Sequence, residues 1–361
     1  MAVKVKISRK VKYLDETTFL RLIDDFINDS YAGRRTKKNG TRISSGTIKN
    51  YDYLKKNLIE FCGQSSFEVK LFVVNNLTQT EKERAKRYYK KFYKSFTAYM
   101  YDKKKYYDNY VGLIIKCLRS FFNYLETERN ISVGTYHRSF FVPSEEIPII
   151  ALNHEQLNYI IYNEDFDQAA RENGLEKVKD IFVFGCTVAL RVSDLLKLSR
   201  KNLLVQGDRY YISVKSQKTN THTSIKLPDY AVEIIQKYHK RQRTLLPSIS
   251  SAWFNTRLKD LAQLIPDNFE MVKTRERRGK QVIVYKDPKR RIHYKLSDHI
   301  STHTMRKTAI TTMLCLGMPE HLVRKISGHA ANSHEFFRYV QLSQSFIDDE
   351  TDKVFEQIKS S

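Results

Sequence analysis

Five residues in the C-terminal half of this 361-residue chain could do chemistry together. Arg191 closes the apolar run from Ile181 to Leu190, His303 and Arg306 stand in His303-Thr-Met-Arg306, His329 follows Gly328, and Tyr339 is the last tyrosine in the sequence. Arginines, histidines and a late tyrosine in this order are the parts for cutting a DNA phosphodiester without a metal ion. An arginine held against a core is costly unless an anion or a carboxylate meets it, and Asp194 offers the purely structural alternative of an ion pair. His303 and Arg306 are three apart, so on a helical turn both emerge on one face, suited to gripping one phosphate.

The elements that must position these residues are mostly helices. Twelve Gly and 7 Pro leave few breaks, and apolar residues recur at helical spacing. Phe19, Leu22, Ile23, Phe26 and Ile27 mark a first helix from about Asp15. Thr47 is a plausible cap for a second through Phe61, a third spans Thr80 to Tyr101, and a fourth runs to about Thr127. Residues 30–46 between the first two are basic and glycine-punctuated, a loop that either touches phosphates or is solvated. From Arg84 to Tyr110, Lys and Arg alternate with ten Tyr or Phe, a mixture that suits a helix laid along DNA, with half of the aromatics needed for the core. Residues 131–152 lack helical period and carry prolines, which predicts a linker. Short alternating segments at 202–206, 210–215 and 223–227 predict a small antiparallel sheet in a second, α-rich domain. Residues 271–300 hold ten Lys or Arg against three Asp or Glu, with β-prone Gln281 to Tyr285 among them, and read as a basic hairpin or insertion. The fold class expected is mainly α with a small antiparallel β-sheet, with a short segment 1–14, a helical DNA-binding domain 15–130, the linker 131–152, a catalytic domain 153–345 and a C-terminal helix 346–361.

Sixty-three Lys and Arg against 40 Asp and Glu give a formal net charge of +23. The excess is spread along the chain, for which a nucleic acid is the natural partner, although ribosomal or membrane-surface proteins share this balance. Cys62, Cys117, Cys186 and Cys315 are far apart and form no ligand cluster, so they read as buried thiols. The charged N-terminus is not a signal peptide and no apolar run reaches membrane-spanning length, which points to the cytoplasm.

His303-Thr-Met-Arg306, then His329 in Ile326-Ser-Gly-His, then Tyr339, resemble the C-terminal signature of the tyrosine recombinases, or phage-type integrases. Arg191 in Ala189-Leu-Arg-Val-Ser-Asp-Leu-Leu resembles that family's first arginine box, and Lys218 in Ser216-Gln-Lys-Thr219 matches the lysine of its β-hairpin, with Lys215 and Lys226 as neighbours it could be confused with. The resemblance covers about residues 150–345, and the basic helical region before it is similar to the family's core-binding domain. Two positions depart from the commonest pattern: Asp194 stands where Glu is more frequent, and the interval from His329 to Tyr339 is one residue longer.

The resemblance implies a site-specific recombinase in which Arg191, Arg306 and His329 clamp the phosphate and Tyr339 attacks it to give a 3′-phosphotyrosyl link. Lys218 would protonate the leaving 5′ oxygen, and His303 would take the tyrosine proton or orient the phosphate. No cofactor, metal or ATP is needed. The partners implied are double-stranded DNA held in a C-shaped clamp, further copies of the chain in a tetramer, and an accessory DNA-bending protein; nucleoid association would accompany action. Ile347, Thr351, Val354, Phe355 and Ile358 line one side of a terminal helix that either closes its own domain or docks on a neighbouring subunit. Residues 1–14 would be too short for a separate arm-site domain, so a simple recombinase or invertase is expected beside an element integrase. A type IB topoisomerase would use the same residues, and a DNA-binding protein that has lost its chemistry is the alternative outside enzymes.

Overall fold

Side-chain caps open the helices where the sequence turns from polar to apolar. In the computed structural model, which describes residues 11–215, 222–239, 244–266, 268–330 and 332–359, Asp15 accepts the Thr18 amide and starts α1 (Glu16–Tyr31). Ser44, and not Thr47, caps α2 (Ser45–Gln64): its side chain accepts the Thr47 amide, so Thr47 already lies in the first turn. Thr78 and Glu81 form a reciprocal capping box at the start of α3 (Gln79–Ala98), which a π-turn over Tyr99–Lys103 ends. The last helix of this unit is α4 (Asp108–Thr127). Each such cap satisfies amides the helix cannot, worth about 1 kcal/mol.

These helices bury one aromatic-rich core. Phe19, Phe26, Phe61, Phe92, Phe96, Phe121 and Phe122 are all buried in it, each contributing roughly 1.5–3 kcal/mol of apolar burial. Gly112 on α4 lies against the Pro143 carbonyl, where an added Cβ would sit 2.0 Å from the oxygen. Arg34 and Arg35 of the basic loop are structural. Arg34 pairs with Asp29, while Arg35 is buried over the Phe26 ring and bonds Ser30 and Glu128. On α3 the Tyr89, Phe92 and Phe96 side of the helix is core, whereas Arg84, Arg87, Lys91 and Lys94, at helical spacing, are exposed.

The first unit comprises the chain up to Ile147 together with Thr274–Val284. Strands Lys273–Arg277 and Lys280–Val284 form the hairpin expected near 271–300, and its arginines are engaged. Arg275 makes a two-point contact with Glu145, Arg278 pairs with Asp102, and the Arg278 and Gly279 amides donate to Asp108.

The second unit comprises Pro148–Lys273 and the chain from Tyr285 onward. The short helices α5 (His154–Tyr162) and α6 (Glu164–Glu172) lead into the central, largely buried α7 (Glu176–Val188), and one turn, α8 (Val192–Leu195), follows. Strands Leu203–Gln206, Arg209–Lys215 and His222–Lys226 pair antiparallel in sequence order, with Ile212 and Ile225 opposite one another and both buried. Helices α9 (Asp229–His239), α10 (Ser251–Gln263), α11 (Leu296–His299), α12 (Thr302–Cys315), α13 (Glu320–Ser327) and α14 (His334–Lys359) complete it. The architecture is mainly helical with small antiparallel sheets, as expected. Among the described residues no helix is long and apolar enough to cross a membrane.

Candidate active site

Helix α12 crosses the buried α7 closely because Gly185 presents no side chain: a Cβ there would fall 2.4 Å from the Met305 sulfur and 3.1 Å from the Met305 Cβ. This contact places Arg306, the next residue, beside the end of α7. Ala189 caps that helix in the left-handed conformation, φ 52°, which costs a non-glycine residue about 1–2 kcal/mol. The turn carries the chain on to Arg191, which begins α8 half-buried.

Arg306 is 7% exposed and anchored by two backbone carbonyls. Its Nη1 donates to the Ala189 carbonyl at 2.8 Å and its Nη2 to the Ser327 carbonyl at 2.7 Å. Nη2 also lies 3.3 Å from His329 Nε2 and 3.4 Å from Nδ1. Burial, and after it the repulsion of Arg191, brings the guanidinium down to about 10. It stays charged at neutral pH, in a place where an arriving anion would find it pre-oriented.

His329 is set by the end of α13. Gly328 takes a left-handed conformation, φ 66°, that only glycine adopts without strain, and the Gly328 and His329 amides both return to the Arg324 carbonyl. The imidazole then meets Ser327 Oγ through Nδ1 at 2.8 Å and lies edge-on to Phe336. Burial, then Arg306, Arg191 and Arg324, push its pKa down to about 3, so the ring is neutral. Arg324 itself stacks on Phe336, 4.0 Å from the ring centroid.

Tyr339 lies on α14, 4% exposed, among Ala189, Ala309, Ile310, Leu314, Val323 and Phe336. Its ring centroid is 5.9 Å from that of His329. Burial first, then Glu335, raises the phenol above its ordinary value, while Arg306, Arg338 and Arg191 oppose that rise. Arg191 is thus close enough to act electrostatically on Arg306, His329 and Tyr339 alike.

The structure therefore gathers Arg191, Arg306, His329 and Tyr339. His303 is exposed on α12 one turn before Arg306. Lys218 lies outside the described residues; the strands on either side of it pair down to Lys215 and His222. Among the described residues no three His, Cys, Asp or Glu side chains gather where they could hold a metal ion. The sequence does not single out Ser327, Ala189 or Arg324, which hold Arg306 and the His329 turn in place. A hydroxyl two residues before the histidine was the one signal the sequence offered for Ser327, and nothing local marks Ala189 as a hydrogen-bond acceptor for Arg306.

The sequence profile of the phage integrase family matches residues 151–345, more than half of the chain and the whole of the segment that carries this site. The chain belongs to the phage integrase family. Its fold is similar to that of tyrosine recombinases solved on DNA. A lambda integrase dimer bound to a COC′ core site aligns at a TM-score of 0.58 with 14% identity, over 91% of this chain and 78% of that one. XerH bound to a palindromic difH substrate, in a post-cleavage complex, aligns at 0.57 with 14% identity, over 93% and 96%. A lambda integrase tetramer bound to a Holliday junction aligns at 0.56 with 14% identity, over 91% and 78%. No curated protein matches this phage integrase family member by sequence.

Proposed function

We propose that this phage integrase family member is a site-specific DNA recombinase whose nucleophile is Tyr339. The observation that carries the reading is the convergence of Arg306, His329 and Tyr339 from α12, the end of α13 and α14, with Arg191 within electrostatic reach of all three. A phosphodiester repels anionic nucleophiles, and its transition state adds charge to the non-bridging oxygens. The Arg306 guanidinium, held by two carbonyls, offsets that charge without reorganising, and Arg191 adds a second positive charge.

In the cleavage step the Tyr339 oxygen bonds to phosphorus as the phosphorus–O5′ bond breaks, and the 3′-phosphotyrosyl link conserves the bond energy for rejoining. The phenolic proton leaves through His303, and Lys218 supplies a proton to the departing 5′ oxygen. The exposed α3 cations, Arg84, Arg87, Lys91 and Lys94, follow the DNA backbone. Exchange takes place between two sites held by a tetramer, an accessory DNA-bending protein assists where the sites must be bent together, and the setting is a mobile element. The lambda integrase tetramer on a Holliday junction, which shares this fold, supports the tetrameric reading.

The test is a supercoiled plasmid carrying two copies of the DNA that flanks the coding sequence. Deletion or inversion of the intervening segment without added metal or ATP is expected. Relaxation of plasmids that lack the sites, with no recombinant product, would replace the recombinase by a type IB topoisomerase.

A further inference from the structure

The Ser327 hydroxyl has one proton and two close partners. It lies 2.7 Å from the Val323 carbonyl oxygen and 2.8 Å from His329 Nδ1. The carbonyl can only accept, so at that distance the hydroxyl proton must point to it; otherwise two oxygen lone pairs would face each other. The hydroxyl therefore has no proton left for the imidazole, and the second contact is attractive only if Nδ1 carries the hydrogen.

We propose that Ser327 is the positioning residue for His329: committed as a donor to Val323, its hydroxyl accepts the Nδ1 proton, fixes the ring's tautomer and leaves Nε2 as the nitrogen that serves the DNA phosphate. The inference deepens the recombinase reading and rests on it for the role of the ring, though not for the tautomer itself.

The surroundings agree with this state. Arg306 from α12, Arg191 from the start of α8 and Arg324 from α13 all bear on the ring electrostatically, and Phe336 and Tyr339 from α14 pack against it. Three guanidiniums favour a neutral imidazole; Arg306 Nη2 lies 3.3 Å from Nε2 and 3.4 Å from Nδ1, and with Nδ1 carrying its hydrogen Nε2 is the nitrogen left to accept from it. Once a phosphate is seated between the guanidiniums its negative charge reverses the balance. The ring then takes a proton from solvent at Nε2 and can donate to a non-bridging oxygen without giving up its hold on Ser327. A serine that accepts is compatible with both charge states, whereas one that donated to Nδ1 would oppose the imidazolium.

The test is a long-range proton–nitrogen correlation spectrum of the full chain with ¹⁵N-labelled histidine, with the His329 signals assigned by their loss in His329→Asn. The wild type is expected to show the Nδ1–H tautomer, and Ser327→Ala a shift towards Nε2–H. In parallel, covalent cleavage should slow roughly tenfold in Ser327→Ala and be largely restored in Ser327→Thr, which keeps the hydroxyl. A wild-type ring protonated at Nε2, an unchanged tautomer in Ser327→Ala, or cleavage in Ser327→Ala at the wild-type rate would each overturn the proposal. If Ser327→Ala does not fold, the wild-type spectrum decides alone. If the wild type forms no adduct, it is the recombinase reading that fails, and the spectrum still decides for or against the tautomer.

Discussion

Arg306 donates to the carbonyl of Ala189, the residue whose left-handed backbone ends α7, so one side chain ties the strained turn before Arg191 to α12. The same guanidinium holds the Ser327 carbonyl at the end of α13. The cation proposed to meet the phosphate is thereby also the brace for two of the elements around it.

Replacing Arg306 should therefore affect both chemistry and fold. Arg306→Lys keeps a charge but cannot reach both carbonyls with a planar fork, leaving a buried acceptor unsatisfied at about 1–3 kcal/mol. Urea unfolding is expected to show that loss, and covalent cleavage should fall by at least about a hundredfold, the scale of losing one pre-oriented oxyanion donor. Cleavage near the wild-type rate would mean that the guanidinium geometry is unimportant.

Gly185→Ala should push α12 away from α7, because the added methyl meets Met305 and Leu195 at 3.1 Å or less. Overpacking of this kind costs about 1–3 kcal/mol. Since Met305 precedes Arg306, cleavage should drop more than DNA binding. A stable variant of undiminished activity would show that the close crossing does not position the arginine.

The depressed pKa of His329 has a sign in pH. At pH below its ordinary value of 6.5 the unfolded chain binds a proton that the folded ring, at about 3, refuses. The stability that the neutral ring contributes is thus present above pH 6.5 and lost as the pH falls from there towards 3. The stability difference between wild type and His329→Gln should shift against the wild type by about 1–2 kcal/mol between pH 7 and pH 5. Denaturation at both pH values measures it, and a constant difference would contradict a neutral folded ring.

The exposed side of α3 should set the salt dependence of DNA binding. Arg87→Ala with Lys91→Ala is expected to weaken binding to specific and non-specific duplex alike and to reduce the salt slope by about 1 per lost phosphate contact. Folding should be unaffected, since both side chains are exposed. An unchanged slope would place the DNA elsewhere on the protein.

Local signals in the sequence account for much of this architecture and only part of the site. Helix α1 could be read because its apolar residues keep one face and Asp15 is a strong cap, and the sheet could be read because Ile212 and Ile225 alternate with polar neighbours. The cap of α2 lies three residues before Thr47 because Ser44 and Thr47 are both good caps, and only the backbone decides which one accepts. The hairpin at 273–284 was legible as a hairpin but not as part of the first unit, since the carboxylates that hold it, Glu145 and Asp108, stand 130 and 170 residues away in sequence. Arg306 and His329 were legible as candidates through the resemblance of His303-Thr-Met-Arg306 and Gly328-His329 to the family's signature. That Arg306 would bond Ala189 and Ser327 was not, because backbone acceptors leave no trace in side-chain identity.

The central claim is that Tyr339 is the nucleophile, and it is tested most directly by SDS-resistant adduct formation on nicked suicide substrates made from the DNA flanking the coding sequence, without divalent metal. The wild type should form a covalent protein–DNA adduct and Tyr339→Phe should form none while binding the same DNA equally well. An adduct that persists in Tyr339→Phe would contradict the assignment of the nucleophile, and specific binding without any adduct in the wild type would contradict the cleavage chemistry altogether.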